Sequence, residues 1–126
     1  MSRYTIMAIG DMAALHHGAV RLAAAELGVE SFGLQVLDLP AGFRDYPEHN
    51  HAADGQEEVY VLLRGSGEFE IDGDRVPIDP GSMLRIDAAA TRMFWPGAEG
   101  ARVLAIGCAP AGAYERPEQF SGGVRP

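Results

Sequence analysis

Cysteine is nearly missing: Cys108 is the one thiol among 126 residues. No internal disulfide can form, which suits a reducing compartment. Lysine is missing altogether, so the ten basic residues are all arginine, set against 18 carboxylates for a formal net charge of -8. A nucleic-acid backbone demands a basic face, and this balance excludes one as partner. No polybasic patch offers itself to a membrane surface either. Long apolar runs are absent as well, none approaching the roughly 20 residues that a membrane helix needs. The opening segment, MSRYTIMAIGDMAAL, is interrupted by Asp11 and has no basic stretch followed by a long apolar one, so it does not read as a signal peptide. What these absences leave is a soluble, cytoplasmic chain. At 47% apolar and 22% charged it has the composition of one globular domain, able to bury a core without disulfides or a structural metal.

Three segments are expected: an N-terminal strand and helix over 1–30, a strand-rich body over 31–108, and a tail over 109–126 rich in Gly and Pro. Residues 4–9 predict a short strand, and Asp11 is suited to cap a helix. Residues 13–27 are rich in alanine and place Leu15, Ala19, Leu22 and Leu27 at helical spacing, with Gly28 as a stop. His16 and His17 fall inside this predicted helix. Adjacent helical positions point about 100° apart, so the two read as separate surface or partly buried positions. Beyond residue 30 the period changes to two. Strands are predicted over 31–39, 59–63, 68–72, 75–78, 82–86, 91–95 and 101–107. Turns follow from Pro40-Ala41-Gly42, Gly65-Ser66-Gly67, Asp72-Gly73-Asp74, Asp79-Pro80-Gly81 and Pro96-Gly97. Short strands with turn signals every eight to twelve residues or so point to an all-β sandwich or barrel with the helix packed outside.

Residues 42–67 carry the candidate chemistry. His49-Asn50-His51 on an extended strand puts both imidazoles on one face, because strand side chains alternate. Glu57 and Glu58 follow after a polar loop, and a glutamate entering the next strand completes a three-point cradle for a divalent metal. Glu58 shares a face with Tyr60 and Leu62, and Glu57 is its competitor. Glu48, Asp45 and Asp54 read as solvated loop charges, and Cys108 as an inert small hydrophobe. Met93 and Trp95 alternate with Arg92 and Phe94, which places them on an outer face against the helix or a partner subunit. Tyr114, near the start of the tail, is positioned to close over a barrel mouth.

These residues resemble the cupin superfamily. Its first motif sets a glycine five residues before His-x-His, a glutamate three or four residues after, and a glycine six residues beyond that. Here six residues separate Gly42 from His49, six separate His51 from Glu58, and six separate Glu58 from Gly65. Gly73 and Pro80-Gly81-Ser82 resemble the opening of the second motif. In many members that motif ends on a histidine, and the equivalent position here is Arg92. No histidine lies beyond residue 51. The resemblance covers residues 34–107 and implies a double-stranded β-helix, or jelly-roll barrel. It implies a metal inside that barrel, held by His49, His51 and Glu58 and walled by Leu62, Phe69, Leu84, Ile86 and Phe94. Two imidazoles and one carboxylate leave coordination positions open and accept Fe, Mn, Zn or Ni. The implied candidate catalytic residues are Tyr60, as acid or pocket wall, and Arg92. A guanidinium cannot ligate a metal. Arg92 either clamps the anionic end of a substrate at the mouth, or pairs with Glu58 in a metal-free pocket. The implied ligand is a small, anionic metabolite, under oxygenation, isomerisation or decarboxylation. The alternative is a non-catalytic small-molecule binding or sensing domain. Val59, Val61 and Leu63 on the outer face permit a homodimer.

Overall fold

In the computed structural model, which describes residues 3–122, one strand of 15 residues and one of 17 organise the rest. In chain order the elements are β1 (Ala14–Leu15), β2 (Val20–Arg21), α1 (Ala23–Leu27), β3 (Gly33–Leu39), β4 (Glu57–Ile71), β5 (Asp74–Ile78), β6 (Met83–Ile86) and β7 (Arg92–Cys108). Short 3-10 turns occupy Ile9–Asp11 and Glu118–Phe120. All pairings are antiparallel. The sheet runs β1-β2-β3-β7-β4-β5, with β6 beside β4, and among the described residues it does not close on itself. No described helix is long and apolar enough to cross a membrane.

The two long strands pair along their whole length, and β4 has different neighbours at its two ends. Its first half lies beside β6 and its second half beside β5. Between the halves the register slips twice, at Leu62/Arg64 and at Gly65/Gly67. Strict alternation would send Tyr60 and Phe69 to opposite faces. The extra residues of a bulge reverse the phase and bend the ladder. Tyr60, Leu62, Phe69 and Phe94 therefore all point inward, each at most 1% exposed, and the rings of Tyr60 and Phe94 flank Phe69 at 4.7 and 4.8 Å. At the bend, Gly65 (φ +89°) passes so close to Gly100 that an added Cβ would lie 2.1 Å from its carbonyl oxygen. The predicted breaks at Gly65-Ser66-Gly67 and Pro96-Gly97 are thus bends within β4 and β7 rather than turns between strands. At the other end of β4, the predicted hairpin at Asp72-Gly73 forms, both residues at positive φ (+48° and +89°).

The N-terminal expectations are corrected. Residues 4–9 form no strand, and the helix predicted over 13–27 is confined to Ala23–Leu27. Residues 14–21 instead fold into a small hairpin whose second strand joins the edge of β3, Val20 opposite Leu37 and Arg21 opposite Val36. Alanine's helical preference is worth tenths of a kcal/mol per residue. The hydrogen bonds of an open sheet edge and burial of Ala19 and Leu22 outweigh it. The hairpin turns through His16, His17 and Gly18, all at positive φ (54°, 58° and 93°). For the two histidines that conformation costs roughly 1–2 kcal/mol each. Outside the sheet, α1 supplies Ala23 to a second apolar cluster with Met12 and Val36.

An ion cluster ties this hairpin to the sheet. Asp38 accepts two hydrogen bonds from Arg102, at 2.7 and 3.0 Å, and one from Arg21 at 3.3 Å. Burial alone would push the Asp38 carboxyl up, but the hydrogen bonds and charge of Arg102, then Arg21, outweigh it and hold it below the usual range. A carboxyl depressed by folding contributes stability above its unfolded pKa, about 3.9, and loses that contribution as pH falls through its folded value. Asp38→Asn is expected to cost about 2 kcal/mol at pH 7. Urea unfolding of the two proteins should show the gap closing below about pH 4. A gap that persisted there would mean that packing, not charge, holds the cluster.

The tail is ordered enough to touch the body. Arg116 donates to the carbonyl of Val29, and at the end of β7, just before the tail, Cys108 donates its thiol to the carbonyl of Ser31. Residues 123–126, the end of the predicted tail, lie outside the described residues, as do residues 1–2. Trp95 does lie on the outer face. Arg44 and Arg75 stack on its ring at 5.5 and 5.4 Å, and its indole N–H donates to Glu70.

Candidate metal centre

The strand predicted at His49–Asn50–His51 is reduced to one bridge. His49 and Arg92 exchange backbone hydrogen bonds of 3.0 and 2.8 Å, and His51 N–H donates to the carbonyl of Ala88. This segment is hung on the start of β7, which brings both imidazoles to Glu58 on the inner face of β4. One nitrogen of each histidine and one Glu58 oxygen all lie within 4.8 Å of one another. Nε2 of His51 is 3.3 Å from Glu58 Oε1, and Nε2 of His49 is 4.0 Å from it. Glu57 points away and meets Arg85 at 3.7 Å on the surface. The choice of Glu58 follows from strand phase, since Glu58, Tyr60 and Leu62 share the inner face.

Each imidazole is oriented from behind. The carbonyl of Pro47 lies 3.0 Å from Nδ1 of His49, and the Asp54 carboxylate 3.1 and 3.2 Å from Nδ1 of His51. Both partners only accept, so each Nδ1–H is engaged by its partner and each Nε2 is the ring nitrogen left facing Glu58. Asp54 is itself fixed by the backbone and side chain of Gln56. The polar loop between His51 and Glu58 thus contains a residue that holds a ligand. Reading Asp54 as a solvated charge missed this. The available signal was an acid three residues past a histidine, beside a glycine that can turn the chain back.

Tyr60, 1% exposed, donates its hydroxyl to Glu58 Oε1 at 2.5 Å. Burial above all, then the neighbouring Tyr46 and Glu58, holds its phenol well above the ordinary range, so it keeps its proton. Tyr46 is pushed up to about 12, mainly by burial. For Glu58, burial would raise the pKa, but the His51 and Tyr60 contacts and the charges of His51 and Arg92 outweigh it and the carboxyl is lowered. His51 is raised, chiefly by Glu58 and against burial, with Asp54 adding to the effect. Nε2 of His51 is nonetheless buried and misaligned for a hydrogen bond with the carboxylate. Two imidazole nitrogens and a carboxylate oxygen converge here, an arrangement that a divalent cation satisfies.

Arg92 is fully buried. Its Nη1 is 3.9 Å from Glu58 Oε1 and its Nη2 donates to the carbonyl of Asp87, while Nε and Nη1 make no hydrogen bond. The side chain lies behind Glu58. Beyond the cluster opens a cavity of about 840 Å³ bordered by the two histidines, Glu58, Tyr60 and Tyr114, but not by Arg92. Gly107 faces Glu58 across the ladder, where an added Cβ would lie 3.1 Å from Glu58 Cγ, so the missing side chain makes room for the carboxylate. The predicted walls Leu62, Phe69, Ile86 and Phe94 are core residues, with Leu84 packed against them. Sequence reading missed Tyr46, His16 and His17 as cavity residues. Tyr46 sits three residues before His49, and its ring meets that imidazole at 6.0 Å.

The family model for the Cupin domain matches residues 35–107. No curated protein sequence matches the chain. Among solved structures it resembles a cupin protein from Bacteroides fragilis, at 25% identity and TM-score 0.70, over 99% of both chains. It also resembles a sugar phosphate isomerase of the cupin superfamily from Silicibacter pomeroyi, at 21% identity and TM-score 0.62, over 70% of this chain and 57% of that one. KdgF from Halomonas is similar over 72% of this chain and 74% of its own, at 12% identity and TM-score 0.58. The last two likenesses are of fold.

Proposed function

The chain belongs to the cupin superfamily, and on that premise we propose that it is a metal-dependent enzyme acting on a small anionic metabolite, its cation held by His49, His51 and Glu58 in a jelly-roll barrel. The observation that carries this reading is the pair of Nδ1–H anchors, which leave both Nε2 atoms and a carboxylate facing one point. Bound there, Fe, Mn, Zn or Ni would supply Lewis acidity and open coordination positions for the metabolite's negative group. The protein's own residues do the rest. Pro47 and Asp54 fix the imidazoles, and Tyr60 fixes Glu58. Tyr60 also borders the cavity, but its one proton is given to Glu58 and its phenol is held well above the ordinary range, which suits it to bracing the ligand more than to acting as an acid. Arg92 tempers the charge of Glu58 from behind and acts as a positioning residue. The donor set suits oxygenation, isomerisation and decarboxylation alike.

A second reading is a metal-free binding or sensing domain, in which Arg92 at 3.9 Å is the permanent partner of Glu58. We further propose a cytoplasmic homodimer. Leu63 and Met83, 43% and 71% exposed, extend the apolar outer face of Val59 and Val61 that a second subunit would cover.

Elemental analysis of protein purified without a histidine tag separates the readings. About one equivalent of divalent metal is expected in the wild type, and almost none in His49→Ala/His51→Ala, since two of three ligands are gone. A wild type that neither retains a metal nor takes one up leaves the metal-free reading standing.

A further inference from the structure

Every histidine of the chain borders one cavity. His49 and His51 do so as candidate ligands, and His16 and His17 do so from the β1–β2 turn. None of the described residues lining that cavity is an arginine, and the chain has no lysine. Nothing there can serve as the permanent cation by which a phosphate ester is usually held. The lining has apolar walls such as Leu37, Leu39, Phe43 and Phe120, and the Asp45 carboxylate. Between and beside these it offers groups that both donate and accept, among them His16, His17, Asn50 and Tyr114. Their natural complement is a run of hydroxyls, which also donate and accept. The volume, about 840 Å³, falls within the range of pockets that enclose a metabolite-sized ligand.

The turn that presents His16 and His17 is a costly way to place two imidazoles. Both sit at positive φ, where asparagine or glycine would be at ease. Both side chains are exposed, and the one hydrogen bond closing the turn, from Ala19 N–H to the His16 carbonyl, uses no imidazole. His17 also borders a second cavity of about 420 Å³. Strain of this kind persists where a side chain is wanted at that spot.

We propose that the cavity takes a polyhydroxylated carboxylate. Its α-hydroxy-carboxylate end sits at the His49–His51–Glu58 cluster, and its hydroxylated chain is held by the imidazoles of the His16–His17 turn. This rests on the metal-site reading above and adds to it the class of the ligand and the residues that select it.

Glycolate and gluconate share the α-hydroxy-carboxylate group and differ in the hydroxylated chain, so they serve as matched probes. Calorimetric titration of the manganese-loaded protein is expected to show gluconate binding at least about tenfold tighter than glycolate, the worth of one or two hydrogen bonds. The variant His16→Asn/His17→Gly keeps residues that accept positive φ and removes both imidazoles. It should bring gluconate to within about twofold of glycolate and leave glycolate unchanged, since the chelating end is untouched. Gluconate no tighter than glycolate in the parent, or an undiminished advantage in the variant, overturns the proposal. A protein that takes up no manganese, yet still loses its preference for gluconate in the variant, keeps the role of the turn and sinks the metal reading.

Discussion

Methionine in place of Arg92 is expected to tighten divalent-metal binding by about 100-fold. Arg92 is buried with Nη1 3.9 Å from the same Glu58 oxygen that faces the two imidazoles. Two unit charges about 4 Å apart at an effective dielectric of about 20 interact by about 4 kcal/mol. That is the scale of the Arg92–Glu58 attraction that a cation competing for the same oxygen would have to offset, besides being repelled by the guanidinium. Pairing with Glu58 and the hydration of an open cavity reduce the repulsion. About 2.7 kcal/mol is the fraction expected to reach the binding constant. Methionine fills most of the same volume without charge, and the Asp87 carbonyl that loses its donor belongs to an exposed residue that water can reach. Competition with a chromophoric zinc chelator measures the change. Unchanged or weaker affinity would mean that Arg92 does not oppose a cation at this cluster. Arg92→His is the companion variant: tighter binding than Arg92→Met would show that the position can supply a fourth ligand.

Alanine at Gly65 is expected to cost more than about 4 kcal/mol, enough to lower the melting temperature by roughly 15 °C or prevent soluble expression. Two terms add. The residue lies at φ +89°, which alanine adopts at a cost of about 1–2 kcal/mol. Its Cβ would also stand 2.1 Å from the Gly100 carbonyl oxygen and 2.9 Å from the carbonyl carbon, backbone atoms that cannot swing aside. Gly10→Ala is the control, because nothing lies within 4 Å of its added Cβ. It should change stability by no more than about 0.5 kcal/mol. Equal losses in the two variants would mean that the bend at Gly65 tolerates a side chain. The bend matters to the site as well as the fold, since it turns Phe69 and Phe94 under Tyr60, which braces Glu58.

Much of the site could be read in advance because strand phase is a strong constraint. Glu58, Tyr60 and Leu62 share the inner face by alternation alone, and Glu57 is excluded by the same rule. Alternation says nothing about where a bulge will reverse it, so the joining of residues 59–63 and 68–72 into one strand was not legible. Two glycines around a serine look like a turn, whereas here they permit one backbone to cross another. The N-terminal helix was misjudged for a different reason. Alanine content reports a weak local preference, and the open edge of β3 decided the matter. His16 and His17 then came together in a turn, where helical geometry had separated them. Asp54 was hidden because a loop acid looks solvated until its partner, His51, is placed in space. Arg92 was identified as the deciding position, but sequence could not show on which side of Glu58 it lies.

The attachment of His49 and His51 to β7 bears on how fast a cation would come and go. Two of the three candidate ligands sit on a segment held by a single bridge at Arg92, one further backbone bond to Ala88 and a side-chain bond from Asn50 to Thr91. Releasing those few bonds frees both imidazoles while β4, β7 and the aromatic core remain intact. Exchange can then proceed by local opening at rates far above global unfolding. Thermal stability and retention time on the protein would be separate properties, and a very stable cupin of this design could still surrender its ion within minutes to a chelator.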